Sequence, residues 1–361
     1  MSRFLSKRLN SLEPYVPGEQ PHGKKYLKLN TNESPYPPSP AVLAAKNKEE
    51  NLQLYPDPDA GLLSEVLAAK YKVNANQIFL GNGSDEVLAF LFQAFCDEDH
   101  EICYPDLTYG FYSVFAALFG LKRNEIPLKA DFTIDLGDYA FCGKNVLIAN
   151  PNAPTGLSLK REEIEQILKT NAEHLVIIDE AYIDFGGESS VSLLERYDNL
   201  IVVQTFSKSR SLAGARLGYA IASKEIIADL KKLKFSFNPY NINSLSMKAG
   251  TAAVLDEEYY CMCCEELIQT REKTKRALRE LKFTVTNSDT NFLFAKPDGI
   301  KGEEYYLALK RHGILVRHFN TERIRDYVRI SIGTPLQMDF FLEETKKILK
   351  GSKKMQEVIQ K

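Results

Sequence analysis

The 361-residue chain is 44% hydrophobic and 26% charged with a formal net charge of −2, the balance of an ordinary globular protein long enough for two domains. That charge gives no electrostatic reason to expect nucleic acid as a partner, and no apolar run approaches the roughly 18–20 residues that span a membrane. The basic stretch Met1 to Arg8 has no long apolar core behind it, so no secretory signal is read there and a cytoplasmic location is expected.

In chain order, residues 1–50 are irregular and proline-rich (Pro35, Pro37, Pro38, Pro40) and read as an N-terminal arm that also supplies part of a smaller domain. From 51 to 254, short β-branched runs alternate with helical patterns. Strands are predicted at Gln77–Leu80, Glu101–Tyr104, Val146–Ala149, Leu175–Ile178, Ile201–Gln204 and Gly218–Ile221, and helices at 85–95, 109–119, 160–170, 224–234 and 244–253. Several strands are apolar on both faces, as in a sheet covered on both sides by helices. The alternation predicts a three-layer α/β domain with a mostly parallel sheet.

Residues 255–361 change character. A long charged helix at about 256–281 leads to strands at Phe283–Val285 and Asn291–Ala295. A helix at 303–311, strands at Ile314–Arg317 and Tyr327–Ser331, and a helix at about 336–350 complete a smaller α+β domain. Of the six cysteines, Cys261, Cys263 and Cys264 are tightly clustered. They fall inside the predicted long helix without the paired spacings of a zinc site, so free thiols are expected and no metal.

Four segments carry the chemistry. Lys208, in Thr205-Phe206-Ser207-Lys208, follows a buried strand, so a turn would present its amine at the carboxyl edge of the sheet, where ligands of open α/β sheets bind. An ammonium there is costly unless paired, and covalent capture of a carbonyl as an imine resolves the problem. Asp179 ends the run Val176-Ile177-Ile178 and faces the same edge, where a carboxylate can keep a pyridine nitrogen protonated. Tyr182, three residues on, and Asn152, in the rigid loop Asn150-Pro151-Asn152-Ala153-Pro154-Thr155-Gly156, can donate to a ring oxygen.

The fourth segment, Gly81-Asn82-Gly83-Ser84-Asp85-Glu86, joins a strand to an amphipathic helix. Its glycines and the helix N-terminus suit a phosphate, with Ser84, Ser207 and Arg216 completing the shell. Asp85 also reads as a plain helix cap. Glu86 stands where a dinucleotide fingerprint has its third glycine, which disfavours a nicotinamide enzyme. Taken singly, each segment has an ordinary structural explanation; together they describe a site for an aldehyde cofactor with a phosphate tail and an aromatic nitrogen.

These segments, with Tyr15-Val16-Pro17-Gly18, Leu29 to Pro40, Tyr55-Pro56-Asp57, Leu212 to Tyr219 and Arg329 to Thr334, resemble the fold-type I aminotransferases that use pyridoxal 5'-phosphate (PLP). More narrowly they resemble the branch acting on histidinol phosphate, and the likeness runs the length of the chain. The resemblance implies that Lys208 carries PLP covalently, Asp179 binds its ring nitrogen, and Asn152 and Tyr182 bind its ring oxygen. Tyr109 would stack on the ring, and Ser84, Asp85, Ser207 and Arg216 would hold the phosphate.

Tyr55 would reach the phosphate of a neighbouring subunit, making the active unit a homodimer. Arg329 would bind substrate anions, with Arg317, Asn30 and Tyr15 nearby. The implied reaction is transfer of an amino group from histidinol phosphate to 2-oxoglutarate, giving imidazole-acetol phosphate and glutamate in histidine synthesis. Aromatic or aspartate aminotransferase and threonine-phosphate decarboxylase activities of the same fold stay open. A cofactor-free binding protein is disfavoured by the joint presence of Lys208, Asp179, Asn152 and Tyr182. One departure is Ser209-Arg210-Ser211, where many relatives carry a small residue, an aromatic and a glycine; Arg210 is expected at the surface.

Overall fold

Alternate residues of Val146–Ala149, Val176–Ile178 and Leu200–Val203 point to opposite faces of one sheet, and none of them is more than 6% exposed. The computed structural model describes residues 2–6, 9–10, 12–21, 23, 25–47 and 51–359; Met1, Lys7 and Arg8 of the N-terminal stretch, and 48–50 of the arm, lie outside them.

The chain begins with β1 (Leu27–Leu29), α1 (Pro40–Lys46), α2 (Gly61–Tyr71), β2 (Ile78–Gly81), α3 (Ser84–Phe95), β3 (Ile102–Pro105), α4 (Phe111–Phe119) and β4 (Asn124–Ile126). It continues with β5 (Asn145–Ala149), α5 (Arg161–Thr170), β6 (Val176–Asp179), β7 (Leu200–Thr205), β8 (Gly218–Ala222), α6 (Lys224–Phe237) and α7 (Ser244–Leu255). Then come α8 (Glu257–Glu280), β9 (Thr284–Val285), β10 (Phe292–Lys296), α9 (Gly302–Arg311), β11 (Ile314–His318), β12 (Val328–Ser331) and α10 (Pro335–Ile359).

The seven-stranded sheet runs β2-β8-β7-β6-β5-β3-β4. β8 is antiparallel to both its neighbours and every other pairing is parallel. The carboxyl ends of β2, β3, β5, β6 and β7 therefore share one edge. On one face, Val146, Ile148, Ile178 and Val202 pack with Leu67 of α2, Ile164 of α5 and Ala253 of α7. On the other, Leu147, Ile177, Ile201 and Val203 pack with Leu88 of α3, Tyr112 of α4 and Ile227 of α6.

The second sheet, β1-β11-β12-β10-β9, is antiparallel except where β1 lies parallel to β11. Its core of Leu29, Leu293, Val316 and Ile330 is closed by Leu267 of α8, Leu309 of α9 and Phe341 of α10. Cys261 is exposed while Cys263 and Cys264 are buried on α8, all as free thiols. Among the described residues, no helix is long and apolar enough to cross a membrane.

Two expectations need correction. The proline-rich arm is not irregular throughout: Ser39 caps α1 by accepting from the Val42 N–H at 3.3 Å, with Pro40 in the first turn where its missing N–H does no harm. Arg210 is not a surface charge. Its side chain is 7% exposed, its guanidinium lies 3.5 Å from the centre of the Tyr260 ring, and it donates to Ala253 O at 2.7 Å and to Glu257 Oε1 at 3.0 Å. The planar cation thus ties the lysine-bearing loop to the junction of α7 and α8.

Arg271 of α8 makes a comparable buried link. From a position 4% exposed, Nη1 donates to Phe185 O at 2.7 Å and Thr290 O at 2.8 Å, joining the loop after β6 to the approach to β10. Arg271→Met would fill similar volume but strand both carbonyls. It is expected to lower stability by roughly 2–4 kcal/mol, read as a lowered thermal midpoint.

Candidate active site

Five strand ends converge on a cavity of about 280 Å³ lined by Ser84, Asp85, Tyr109, Asp179, Tyr182, Ser207, Lys208 and Arg216, with Thr31, Glu33 and Thr205. At one end the backbone comes unusually close. A Cβ on Gly218, the first residue of β8, would lie 2.2 Å from Ser84 N, so only glycine lets β8 pass the N-terminus of α3. Gly83 (φ +86°) leaves room for Arg216, since a Cβ there would stand 2.3 Å from Arg216 Nη2. Arg216 donates to Asp85 Oδ2 at 3.0 Å and reaches Ser207 Oγ at 3.5 Å. A guanidinium, a hydroxyl and a helix N-terminus around a glycine cradle are the groups that suit a phosphate.

At the other end Asp179 closes β6, 4% exposed. Its Oδ2 accepts from Tyr112 Oη at 2.8 Å and its Oδ1 from Ala181 N at 3.2 Å. Burial pushes its carboxyl up to about 6, against those hydrogen bonds and the nearby Lys208 charge. Lys208 Nζ donates to Thr31 O at 3.2 Å and lies 5.7 Å from the centre of the Tyr182 ring. Tyr182 Oη accepts from Asn32 Nδ2 at 2.9 Å. Tyr109 donates to Asp85 Oδ1 at 2.8 Å, and burial raises its phenol pKa.

Other predicted residues lie outside the cavity lining. Asn152 is 5% exposed, with its amide protons on Leu107 O at 2.9 Å and Thr155 Oγ1 at 3.0 Å, while Oδ1 accepts from Thr108 at 2.8 Å. It braces the loop after β5 rather than pointing an amide into the cavity. Arg317 and Arg329 are register partners on β11 and β12. Arg329 is half-buried, and the desolvation of its guanidinium lowers its pKa; Nη2 reaches Asn30 O at 3.3 Å and Nε has no hydrogen-bond partner. Arg317 donates to Val16 O at 3.1 Å and Pro17 O at 3.3 Å. Tyr15 stacks on Phe111 at 4.4 Å, 6.2 Å from Tyr109. Asn30 donates to Glu19 O at 2.8 Å. Tyr55 stands apart, 81% exposed and stacked on Tyr240 at 4.6 Å, beside an apolar hollow of about 800 Å³ between α1, α2 and α7. That hollow is larger than the convergent cavity but carries none of its chemistry.

Sequence reasoning missed Tyr112 and Asn32. Tyr112 falls within the helix predicted at 109–119 and Asn32 within the segment Leu29 to Pro40; neither carries a local signal for its contact. The residues present fit PLP. The glycine cradle with Arg216 suits a phosphate, the buried Asp179 suits a ring nitrogen, and the Lys208 amine lines the same cavity.

The sequence profile described as aminotransferase class I and II matches residues 24–344. A histidinol-phosphate aminotransferase of Brachyspira hyodysenteriae is 52% identical over 354 residues, covering 97% of this chain and 100% of its own length. One from Clostridium botulinum is 46% identical, covering 97% of this chain and 99% of its own. The crystal structure of the Sinorhizobium meliloti histidinol-phosphate aminotransferase in complex with PLP superposes with a TM-score of 0.86, over 96% of this chain and 99% of that one. At 23% identity it speaks for the fold alone. The chain belongs to the class I and II aminotransferases and, among them, to the histidinol-phosphate aminotransferases.

Proposed function

We propose that the chain is a PLP-dependent transaminase that takes the amino group of histidinol phosphate and passes it to 2-oxoglutarate, releasing imidazole-acetol phosphate and glutamate, in histidine biosynthesis. The observation that carries this reading is the convergence of Lys208, Asp179 and Arg216 on one cavity at the carboxyl edge of the sheet. PLP, when bound, supplies an electron sink for the pair left at the substrate carbon.

The protein's residues do the rest. Lys208 Nζ would hold the cofactor and, as a free amine, would move the proton at the substrate's reacting carbon. Asp179 keeps the ring nitrogen protonated, and Tyr109 covers one ring face. Tyr182 would donate to the ring oxygen, and Asn152 could add a second donor only by giving up Leu107 O or Thr155 Oγ1. Ser84, Asp85, Ser207 and Arg216 hold the phosphate, the first two mainly through backbone N–H groups.

Arg329 and Arg317 bind the substrate phosphate in one half-reaction and carboxylates in the other, since guanidinium pairs with both anions. Tyr15 and Asn30 are the further residues we assign to the substrate site. We read residues 51–254 as the large domain and 255–361 with part of 1–50 as the small one, a division supported by β1 joining the small sheet. We read the apolar hollow beside the exposed Tyr55 as the face for a second copy, with Tyr55 reaching the neighbouring subunit's phosphate. The enzyme works in the cytoplasm.

Two outcomes test the assignment. Lys208→Ala is expected to lower turnover of histidinol phosphate by at least about 10²–10⁴-fold. A near wild-type rate would end it.

The second concerns Asp179 in protein stripped of cofactor. Its folded pKa, about 6, lies above the ordinary 3.8, so the buried charge weakens the fold above pH 6 and the penalty disappears as pH falls through 6 toward 4. Asp179→Asn should therefore melt higher than wild type at pH 8, by at most about 3 kcal/mol, with the gap closing near pH 4. Comparing the two proteins isolates Asp179 from Glu180, which burial likewise raises to about 7. The same substitution should weaken PLP binding.

A further inference from the structure

The segment Asn30–Asn32 leaves β1 and touches three working groups in succession. Arg329 reaches Asn30 O at 3.3 Å, Lys208 donates to Thr31 O at 3.2 Å, and Asn32 donates from Nδ2 to Tyr182 Oη at 2.9 Å. Asn32 is 1% exposed and held on several sides. Its N–H donates to Ser331 Oγ at 2.9 Å, its Oδ1 accepts from the same hydroxyl at 2.8 Å, and its carbonyl accepts from Asn291 Nδ2 at 2.9 Å. Its φ of +56° lies in the left-handed region that asparagine and aspartate enter more readily than most residues.

These contacts fix which way the amide faces. The Ser331 proton goes to Oδ1, so Nδ2 is the end turned to Tyr182. An N–H already donates to the Tyr182 oxygen, and the tyrosine's own proton must therefore point elsewhere, toward the cavity it lines. Ser331 lies two residues beyond Arg329 on β12, so both project from one face of the strand.

We propose that Asn32 is a positioning residue that aims the Tyr182 hydroxyl proton at the ring oxygen of bound PLP and so tunes the cofactor's proton affinity. This rests on the PLP reading above. A donor on that oxygen drains negative charge that otherwise holds a nearby proton. Misdirecting it raises the pH midpoint of the cofactor's visible absorbance.

The test is a pH titration of that absorbance in PLP-loaded wild type, Asn32→Gly, Tyr182→Phe and the double variant, with melting of the cofactor-free forms alongside. Glycine keeps the left-handed backbone and removes the side chain that carries the amide. The expected result is an upward shift of roughly half to one pH unit in Asn32→Gly, and a double variant that titrates like Tyr182→Phe alone. An unmoved midpoint, with or without a lower melting temperature, overturns the proposal, as does a shift in the double variant equal to the sum of the two.

Should Asn32→Gly not fold, Asn32→Asp keeps size and backbone preference. Its carboxylate would accept the Tyr182 proton, so the midpoint must again rise; an unchanged midpoint overturns the proposal here too. A wild-type protein that develops no visible band with PLP defeats the cofactor reading, and this inference with it. A normal wild-type band with no effect of Asn32 substitution defeats this inference alone.

Discussion

The site depends on keeping the Lys208 amine and the Asp179 carboxylate close without letting them neutralise one another. Both line a cavity of about 280 Å³ that also holds Glu33, Asp85 and Arg216, and an Asp179 paired with Lys208 would leave neither group for the cofactor. The fold gives each its own neighbour. Lys208 donates to the Thr31 carbonyl, Asp179 accepts from the Tyr112 hydroxyl and the Ala181 amide, and Arg216 is held by Asp85. Burial is what raises the Asp179 pKa, since a buried carboxylate with only neutral hydrogen-bond donors is poorly stabilised. A ligand with a basic ring nitrogen relieves the strain, so the folded chain is poised for its cofactor.

The same arrangement ties the two sheets together. The lysine's loop is fixed to α8 through Arg210 and the Tyr182 loop through Arg271. The crossing segment Asn30–Asn32 joins β1 and β12 of the small sheet to Lys208 and Tyr182. Groups meant for the substrate and groups meant for the cofactor are thus linked by few, buried, directional bonds. Displacing one strand displaces hydrogen bonds on the other side of the cavity.

Much of this was legible in the chain. The central strands are apolar on both faces, and that pattern has few other uses. Lys208, Asp179, Ser84, Ser207 and Arg216 stand at strand ends or turns, where topology alone sends them to one edge. What was not legible has physical reasons. β1 is three residues long, and β4 is a short edge strand bearing Asn124 and Glu125. α2 starts at Gly61 with no capping side chain on Ala60 before it, and its buried face mixes Leu63 and Leu67 with Ser64 and Ala68 while Leu62 is 65% exposed, so no clean apolar stripe marks it. α1 did carry a cap signal, hidden among prolines. Tyr112, Asn32 and Arg210 depend on partners 67, 150 and 50 positions away, a separation no local pattern encodes.

The most direct measurement is a single-turnover assay on the PLP form, following the cofactor's absorbance on mixing with histidinol phosphate, phenylalanine, aspartate or threonine phosphate. Rapid conversion to pyridoxamine phosphate with histidinol phosphate, far ahead of the other three, is the predicted result. Faster conversion with another amine, or none with histidinol phosphate, would contradict the assignment while leaving the fold in place.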